Sequence, residues 1–359
     1  MLLLHDFHKD LGARFGLVNE TEVIAHYGDV LAEHTALRQG AGVIDLSFRG
    51  RLCLTGNDRV QFLHGQVTND VKGLATAGGC YAALVNAKGK MQSDLYIYKL
   101  GDELLLDFEP GLSEKVSQRL EQYVVADDVQ VVDVAGLYGL LSVQGPEAEN
   151  VVRDLGIFKM LPPQPFGSVK AEDAAAGEFY LMNQPRLGTR GYDFFIPSAS
   201  LEATVNKLLL AAKAVGGRAC GWEALETARI EAGIPRFGAD MDESNLPPEC
   251  GIEQRAVSFT KGCYLGQEII NRVHTQGHVN KELHGFRLEG ALDPLPVKGD
   301  KLLLDGKEVG HLTSVVFSPT FKGVVALGYI RRVNNKPGTE LVVRTLSGEG
   351  KARVTALPF

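Results

Sequence analysis

The sequence predicts an α+β protein with more than one domain. Residues 51–134 follow the order β-α-β-β-β-α-β, which is typical of a ferredoxin-like domain. Residues 283–359 change to short apolar β-runs separated by turns, a pattern that predicts a small closed or nearly closed β-domain. A chain of 359 residues also exceeds the size that one hydrophobic core usually supports, so two or three domains are expected.

Composition excludes several classes of protein. Hydrophobic residues make up 45% and charged residues 23% of the chain, which is an ordinary globular balance. The net charge of −7, without a block of like charges, argues against a broad nucleic-acid-binding surface. No apolar run reaches the length of a membrane span, and the first residues lack the features of a signal peptide. The five cysteines form no CxxC pair, which favours free thiols in a reducing cytoplasm.

The spacing of apolar residues predicts the first elements along the chain. Residues 22–38 carry an imperfect helical stripe that ends at Gly40-Ala41-Gly42, and residues 43–46 form a strand. In the ferredoxin-like segment, Thr55-Gly56-Asn57-Asp58 is expected to cap a helix that runs through Gln66. The remaining strands of this segment are expected at residues 52–54, 81–85, 93–100, 103–108 and 129–134, and its second helix at 112–123.

The second half of the chain mixes strands, helices and loops. A strand at 137–143 precedes a helix that has Pro146 in its first turn and Gly156 just past its end. Residues 160–177, which are rich in proline, are expected to form a surface loop. The following elements are helices at 201–215 and 222–232, and β-runs at 302–304, 309–317, 324–330, 341–344 and 352–356, with Asp305-Gly306 as a hairpin turn.

One stretch concentrates unusual chemistry: Lys261-Gly262-Cys263-Tyr264-Leu265-Gly266-Gln267-Glu268. Gln267 starts a predicted helix, and a nearby lysine and a helix N-terminus both favour the thiolate form of a cysteine. The same features also fit a buried structural cysteine in a turn. The stretch resembles the K-G-C-[FY]-x-G-Q-E signature of the YgfZ family of folate-binding proteins. That family is related to the T-protein (aminomethyltransferase) of the glycine cleavage system.

The resemblance extends over nearly the whole chain. Residues 26–28 through 42–47 resemble the N-terminal region of T-proteins, and Phe317-Ser318-Pro319-Thr320 resembles their F-S-P-T turn, which we interpret as structural. The family implies three domains around a central folate pocket. These are a discontinuous T-protein-like folate-binding domain (1–50 and 137–282), a ferredoxin-like domain inserted into it (51–136) and a C-terminal β-barrel domain (283–359).

Arg229 lies on an apolar helical stripe with Trp222 and Leu225. A guanidinium on such a stripe must find a partner, because an unpaired buried charge is costly. One local solution is a pair with Glu226, three residues earlier. Residues 228–233 resemble the R-L-E-A-G motif of T-proteins, whose arginine lies at the folate site, and residues 238–243 match the family's G-x-[DE]-[MI]-D-E. The resemblance therefore implies that Arg229 contacts folate.

A second candidate is the run Asn86-Ala87-Lys88-Gly89-Lys90-Met91-Gln92-Ser93-Asp94-Leu95. It resembles the D-A-K-G-K-M-x-S-[ND]-L run of YgfZ proteins. T-proteins have two aspartates at the end of this run, the second of which is catalytic, and Asp94 occupies that second position. From the residues alone, the preferred interpretation of Asp94 is a strand-edge carboxylate in water. The resemblance implies a catalytic role for Asp94, and Asn86, Tyr264 and Gln267 complete the folate-binding candidates.

A third motif is Gly188-Thr189-Arg190-Gly191-Tyr192-Asp193, which resembles the pterin-holding G-E-x-G-[YFV]-E segment of T-proteins. Asp193 replaces the final glutamate, and a carboxylate suits the paired N–H donors of a pterin. Thr189 replaces the first glutamate. His274 and His278 are spaced like metal ligands, but Gly277 and polar neighbours favour a loop, and no metal site is expected.

The resemblance implies a tetrahydrofolate-binding protein that assists the assembly or maintenance of iron–sulfur proteins and affects tRNA modification. Cys263 would supply the functional thiol, and Lys261 would lower its pKa or meet the glutamate tail of folate. One alternative is a true aminomethyltransferase, which moves a methylene group from an aminomethyl-lipoyl carrier to tetrahydrofolate. The N-terminal region and Asp94 favour it, whereas T-proteins lack the cysteine. The other alternative is a folate-dependent scaffold that binds client proteins without chemistry.

Overall fold

The computed structural model describes residues 2–173, 177–290 and 293–359. Contacts divide the chain into two compact units. Unit 1 consists of Met1–Ala82 and Ser93–Ala228, and unit 2 consists of Ala83–Gln92 and Arg229–Phe359. The domain boundaries expected from the sequence at residues 50, 136 and 282 stay a prediction.

The elements follow the predicted order closely. Those of the first 144 residues are α1 (His5–Asp10), β1 (Arg14–Val18), β2 (Thr21–His26), α2 (Val30–Gln39), β3 (Gly42–Asp45), β4 (Gly50–Thr55), α3 (Arg59–Gln66), β5 (Gly79–Val85), β6 (Met91–Lys99), β7 (Leu104–Phe108), α4 (Ser113–Glu121), β8 (Gln130–Asp133) and β9 (Tyr138–Gln144). The next are α5 (Ala148–Asp154), β10 (Ser168–Asp173), β11 (Gly177–Asn183), β12 (Gly191–Pro197), α6 (Leu201–Ala214), β13 (Arg218–Ala219) and α7 (Trp222–Glu231). The last are α8 (Glu253–Ala256), α9 (Gln267–Gln276), β14 (Lys281–Glu289), β15 (Lys301–Leu304), β16 (Lys307–Ser318), β17 (Gly323–Arg331), β18 (Glu340–Arg344) and β19 (Glu349–Thr355).

Two larger sheets organise the first 228 residues. One has the order β5-β6-β7-β4-β8, and the other has the order β10-β11-β12-β9-β3-β13. One buried cluster takes Cys53, Tyr98 and Leu105 from the first sheet and Ile44 and Phe195 from the second. The two sheets therefore share a core, which agrees with the mixed α+β class predicted from the sequence.

The C-terminal strands form a closed barrel in the order β14-β17-β16-β15-β18-β19. Its interior is filled by apolar side chains, among them Phe286, Leu312 and Val343. The prediction of a closed β-domain is confirmed, because alternating apolar residues on six short strands can all face one interior once the sheet closes.

Several local predictions are wrong. The expected helix over 22–38 is divided, because Thr21–His26 pairs with β1 as a hairpin and the helix starts only at Val30, where the Asp29 side chain accepts a hydrogen bond from the Ala32 N–H at 2.9 Å. The expected loop over 160–177 contains β10, which pairs with β11; residues 174–176 lie outside the described residues.

Two capping and loop predictions are also wrong. Asp58 precedes α3, but its carboxylate accepts the Asp128 N–H at 2.9 Å instead of capping the helix. His274 lies within α9, where its Nδ1 atom is 3.0 Å from a carboxylate oxygen of Glu253 and its ring stacks on Phe259 at 3.7 Å between centroids.

Candidate active site

Asp94 lies on β6 in unit 1 and is buried, with 9% of its surface exposed. The Tyr81 hydroxyl donates a hydrogen bond to Asp94 Oδ2 at 2.8 Å. The water-facing alternative is therefore wrong. Burial, followed by the charge of Glu109, raises the pKa of Asp94 to about 6, although Tyr81 and Arg49 act in the opposite direction. A carboxyl with this pKa can both give and accept a proton near neutral pH.

Strand register explains which groups surround Asp94. In the β4–β7 pair Arg51 lies opposite Asp107, and in the β6–β7 pair Tyr96 lies opposite Asp107. Continued by two residues, past the ends of β4 and β7, the same registers would align residues 49, 109 and 94 in one row. Side chains in such rows lie on the same face, because alternate residues of a strand point to the same side. Polar residues therefore occupy one end of this face of the sheet. The adjacent row on the same face, formed by Cys53, Tyr98 and Leu105, belongs to the hydrophobic core.

A buried charged cluster fills this end of the face. We define the charged cluster as Arg49, Asp94, Asp107, Glu109, Arg186 and Asp193. Arg186 is half-buried, and the other five residues are buried. Arg49 Nε donates to Asp107 at 2.7 Å, and its Nη1 donates to Glu109 at 2.5 Å. Arg186 Nη2 reaches Asp107 and Asp193, each at 2.6 Å. Asp94 and Asp193, chosen separately from the sequence, thus belong to one cluster.

The two arginines do not neutralise every carboxyl of the charged cluster equally. Burial opposes ionisation of Asp107, but Arg49 and Arg186 together outweigh it and hold the pKa of this carboxyl below its usual value. Burial raises the pKa of Asp193 more than Arg186 lowers it. Since Arg186 Nε and Nη2 both bind Oδ2 of Asp193, this oxygen is already used within the protein. The pterin contact expected of Asp193 stays a prediction.

Sequence reasoning missed Arg49, Asp107, Glu109 and Arg186. The sequence pattern that could have indicated them is a charged residue at every second position beside an apolar strand, as in Asp107-Phe108-Glu109 and Arg49-Gly50-Arg51. Alternate charged residues on a strand usually face water, which is why the pattern was not read as a site. Here Asp107 on this face is buried and is bound by Arg186, which also binds Asp193 on β12 of the second sheet.

Cys263 of the octapeptide lies in unit 2 and is the exposed member of five free cysteines. Burial raises the pKa of Cys53 and of Cys220, and it raises the pKa of Cys250 to about 12. A buried thiol with a high pKa is a poor nucleophile. The alternative of a buried structural cysteine is therefore wrong for Cys263, and the functional role of this thiol stays a prediction.

The other octapeptide residues shape the turn around the cysteine. Gly266 ends the turn at φ +82° and caps α9, as expected. The Gln267 side-chain amide donates to the Gly262 carbonyl at 3.3 Å. The Lys261 ammonium lies 4.9 Å from the centroid of the buried Tyr264 ring. The Tyr264 hydroxyl has no hydrogen-bond partner within the described part of the chain. The folate contacts expected of Lys261, Tyr264 and Gln267 stay predictions.

The run that begins at Asn86 packs against the octapeptide in unit 2. Asn86 Oδ1 accepts the N–H groups of Lys88 and Lys90, at 2.9 and 3.1 Å. A Cβ atom at Gly266 would lie 2.4 Å from the Asn86 carbonyl oxygen and 3.1 Å from the Gly89 Cα. Two motifs chosen separately are therefore in direct backbone contact, and Asn86 has a structural function besides its expected folate contact.

Arg229 is buried and bound within unit 2. Its Nη1 donates to Asp240, and its Nη2 donates to Ser314 on β16 at 2.8 Å. Asp240 also accepts the hydroxyls of Thr313 and Ser314, at 2.5 and 2.7 Å. The partner that a buried Arg229 was expected to need is therefore Asp240, which lies in the motif at residues 238–243. The folate contact of Arg229 stays a prediction, with this guanidinium already bound to protein groups.

In the described part of the chain, no group of three or more histidines, cysteines, aspartates or glutamates is arranged to hold a metal ion. Over the same residues, no helix combines the length and the apolar composition needed to cross a bilayer.

Comparison with known proteins gives the same family along the chain. The GCVT N-terminal domain matches residues 4–261, and the glycine cleavage T-protein C-terminal barrel domain matches residues 281–359. The aminomethyltransferases of Bacillus subtilis and Symbiobacterium thermophilum are each 28% identical, over 99% of this chain and 98% and 96% of theirs.

A solved structure shows the same fold. The glycine cleavage system aminomethyltransferase T from Bartonella henselae superposes with a TM-score of 0.88 at 23% identity, covering 99% of this chain and 97% of that one. Together with the domain matches, which cover well over half of the sequence, this establishes the relation. The chain belongs to the glycine cleavage T-protein family.

Proposed function

We propose that this protein transfers a one-carbon unit from an aminomethyl donor to tetrahydrofolate. The observation that carries the proposal is Asp94, a buried carboxyl whose pKa is raised to about 6 by burial and by Glu109. Perturbed acids of this kind are typical of catalytic sites, because proton transfer is most efficient when the acid's pKa lies near the working pH. The aminomethyltransferase relatives support this alternative better than they support the iron–sulfur interpretation.

The reaction needs a group that moves protons. The donor's carbon–sulfur and carbon–nitrogen bonds break, and the methylene carbon forms two bonds to the folate nitrogens. The two protons that those nitrogens lose end on the departing amine, which leaves as ammonia, and on the carrier thiol. Asp94 can deliver one proton as the acid and regain one from a folate nitrogen as the carboxylate, and the transfer requires no external oxidant or reductant.

The residues around Asp94 fit a flat, conjugated ligand. The rings of Tyr81 and Tyr96 lie 5.1 Å apart, and those of Tyr96 and Phe166 lie 6.0 Å apart. Aromatic side chains of this kind offer faces on which a pterin can stack. Arg186, 5.3 Å from the Tyr96 ring, places a cation beside the same aromatic group. These features support tetrahydrofolate as the one-carbon acceptor.

A second candidate function rests on Cys263. This thiol is exposed, lies in the complete YgfZ-type octapeptide and is the accessible one of the five. A thiol-dependent role in the maintenance of iron–sulfur proteins, with an effect on tRNA modification, therefore stays a proposal beside the transfer reaction. The scaffold alternative has no observation in its favour.

The test compares Asp94→Asn and Cys263→Ser in folate binding and methylene transfer. Calorimetry with tetrahydrofolate is expected to show micromolar binding, about −8 kcal/mol. Transfer from an aminomethyl-lipoyl carrier should be lost in Asp94→Asn and kept in Cys263→Ser. Asp102→Asn, which changes an exposed aspartate of the same unit, is the matched control. The absence of binding heat at millimolar folate, or full transfer by Asp94→Asn, would overturn the proposal.

A further inference from the structure

A second buried carboxyl, that of Glu109, directly follows β7, the strand that pairs with the Asp94 strand β6. The β6–β7 register places Tyr96 opposite Asp107, and continuing it by two residues, past the end of β7, would set Asp94 opposite Glu109. Residues in this relation have Cβ atoms about 4.5–5.5 Å apart, and like charges there repel. Glu109 is 6% exposed and Asp94 9%, so water screens this repulsion poorly. The two carboxyls therefore favour a state in which one of them holds a proton.

Arg49 distinguishes the two carboxyls. Its guanidinium is bound to Glu109 at 2.5 Å and to Asp107 at 2.7 Å. Asp94 instead receives a neutral hydroxyl, that of Tyr81, at 2.8 Å. A cation stabilises negative charge on the carboxylate that it contacts more strongly than on a neighbour. The proton of the pair is consequently expected on Asp94.

We infer that Asp94 and Glu109 form a carboxyl pair in which Arg49 holds the negative charge on Glu109 and Glu109 keeps a proton on Asp94. The inference rests on the proposed function, because the carboxyl pair affects catalysis only if Asp94 transfers protons in that reaction. In that reaction Asp94 is the catalytic residue, and Glu109 and Arg49 are positioning residues that act through it.

The pair gives the proton transfer a direction. When Asp94 delivers its proton to the departing amine nitrogen, two carboxylates face each other in a buried site. Their repulsion favours the return of a proton to Asp94, and a folate N–H can supply it. One proton leaves Asp94 and one returns, so the enzyme ends in its starting state.

The surroundings of Asp94 agree with this arrangement. The groups that act on it are Glu109 next to β7, Tyr81 on β5 and Arg49 next to β4. After burial, Glu109 is the largest contribution that raises the pKa of Asp94, and Tyr81 and Arg49 lower it. Replacing Glu109 and replacing Arg49 should therefore shift the titration of Asp94 in opposite directions.

The experiment titrates Asp94 by carboxyl-carbon NMR of ligand-free protein labelled with ¹³C-aspartate, with the signal assigned by its loss in Asp94→Asn. Glu109→Gln keeps the side-chain shape and leaves Arg49 bound to Asp107. It should lower the midpoint by about one pH unit. Arg49→Met should raise it. Glu121→Gln, at an exposed glutamate of the same unit, should leave it unchanged.

The outcomes separate this inference from the proposed function. Opposite shifts in Glu109→Gln and Arg49→Met, with the acid limb of the pH–rate profile moving in the same directions, support both. Opposite shifts in protein that shows no transfer support the pair and overturn the proposed function. If Glu109→Gln, folded by its melting curve, titrates like Glu121→Gln, the pair is overturned whatever the activity. If Arg49→Met does not fold, the result from Glu109→Gln alone decides.

Discussion

At the scale of single residues, the chemistry of a side chain depends on what covers it. Asp94 has its pKa raised to about 6, first by burial and then by Glu109. Asp107 has its pKa lowered by two arginines despite burial. The pKa values of these two aspartates are thus shifted in opposite directions within one charged cluster, because the number of cations that contact each carboxylate differs.

The raised pKa of Asp94 predicts a pH-dependent stability. A carboxyl with a higher pKa in the folded chain than in the unfolded chain favours folding fully below its ordinary pKa of 3.8, and this contribution is lost as the pH rises through about 6. Asp94→Asn does not titrate. Its free energy of unfolding, relative to wild type, should therefore increase by on the order of 3 kcal/mol between acidic and neutral pH. Urea unfolding at both pH values measures this, and parallel pH profiles would contradict it.

Exposure predicts which thiol reacts. Cys263 is exposed, and the other four cysteines are buried. A buried thiol reacts only when the structure around it opens, so iodoacetamide near neutral pH should label Cys263 at least about tenfold faster than Cys250. Peptide mapping measures the rates, and labelling in denaturant provides the control in which all five react. Equal rates for Cys263 and Cys250 would remove the support for a thiol function.

At the scale of elements, polar residues attach α7 and the segment after it to strand β16 of the barrel. Arg229 binds Asp240 and Ser314, and Glu231 accepts the hydroxyl of Ser318 and, at 2.9 Å, that of Thr320. The F-S-P-T turn, interpreted as structural from the sequence, is thus bound by the glutamate of the arginine motif. Both motifs stabilise unit 2.

The buried pair of Arg229 and Asp240 changes the expected effect of a substitution. Removing one member of a buried ion pair costs about 3–5 kcal/mol, because the other charge is left without its partner. Arg229→Ala should therefore lower the free energy of unfolding by about this amount. Arg331→Ala, at an exposed arginine of β17, is the control. Unchanged melting of Arg229→Ala would show that the pair is not structural.

Gly266 is required where the octapeptide meets the Asn86 run. Its φ of +82° is unfavourable for residues with a Cβ, and a Cβ would lie 2.4 Å from a backbone oxygen. Gly266→Ala should lower the melting temperature markedly, whereas Gly262→Ala, where a Cβ meets nothing within 4 Å, should have little effect. Thermal unfolding of the two variants distinguishes them. Equal melting would mean that the turn adapts without cost.

At the scale of the whole molecule, the chain keeps its fold through a large change of sequence. The Bartonella henselae structure matches over 99% of this chain with a TM-score of 0.88 at 23% identity. A fold tolerates such change when apolar residues keep their spacing, since burial depends on the pattern more than on the exact side chain. The family assignment covers both the N-terminal and the barrel parts, because the two domain families match residues 4–261 and 281–359.

Ligand binding should be visible in global stability. A ligand that binds the native state alone stabilises it by about 2.7 kcal/mol at one hundred times its dissociation constant. Tetrahydrofolate should accordingly raise the melting temperature in proportion to the logarithm of its concentration. Scanning calorimetry at several concentrations measures this. An unchanged melting temperature at millimolar folate would contradict the proposed acceptor.

The sequence by itself determined the order of the elements between residues 51 and 156, the closed β-domain and the helix that starts at Gln267. These depend on local spacing, on turns such as Asp305-Gly306 and on the position of Gly266 before a helix, all of which short-range physics controls. It failed at residues 22–38, where a tertiary hairpin partner decided between strand and helix.

Only the tertiary structure decided the chemistry of Asp94 and the role of Arg229. Arg49 is distant in sequence from Asp107 and Glu109, and its guanidinium meets both carboxylates only once β4 and β7 pair. Likewise, Asp240 and Ser314 meet Arg229 only after folding. Protonation and ion pairing depend on burial and on the nearest charges, and neither quantity exists in the sequence until distant segments pack together.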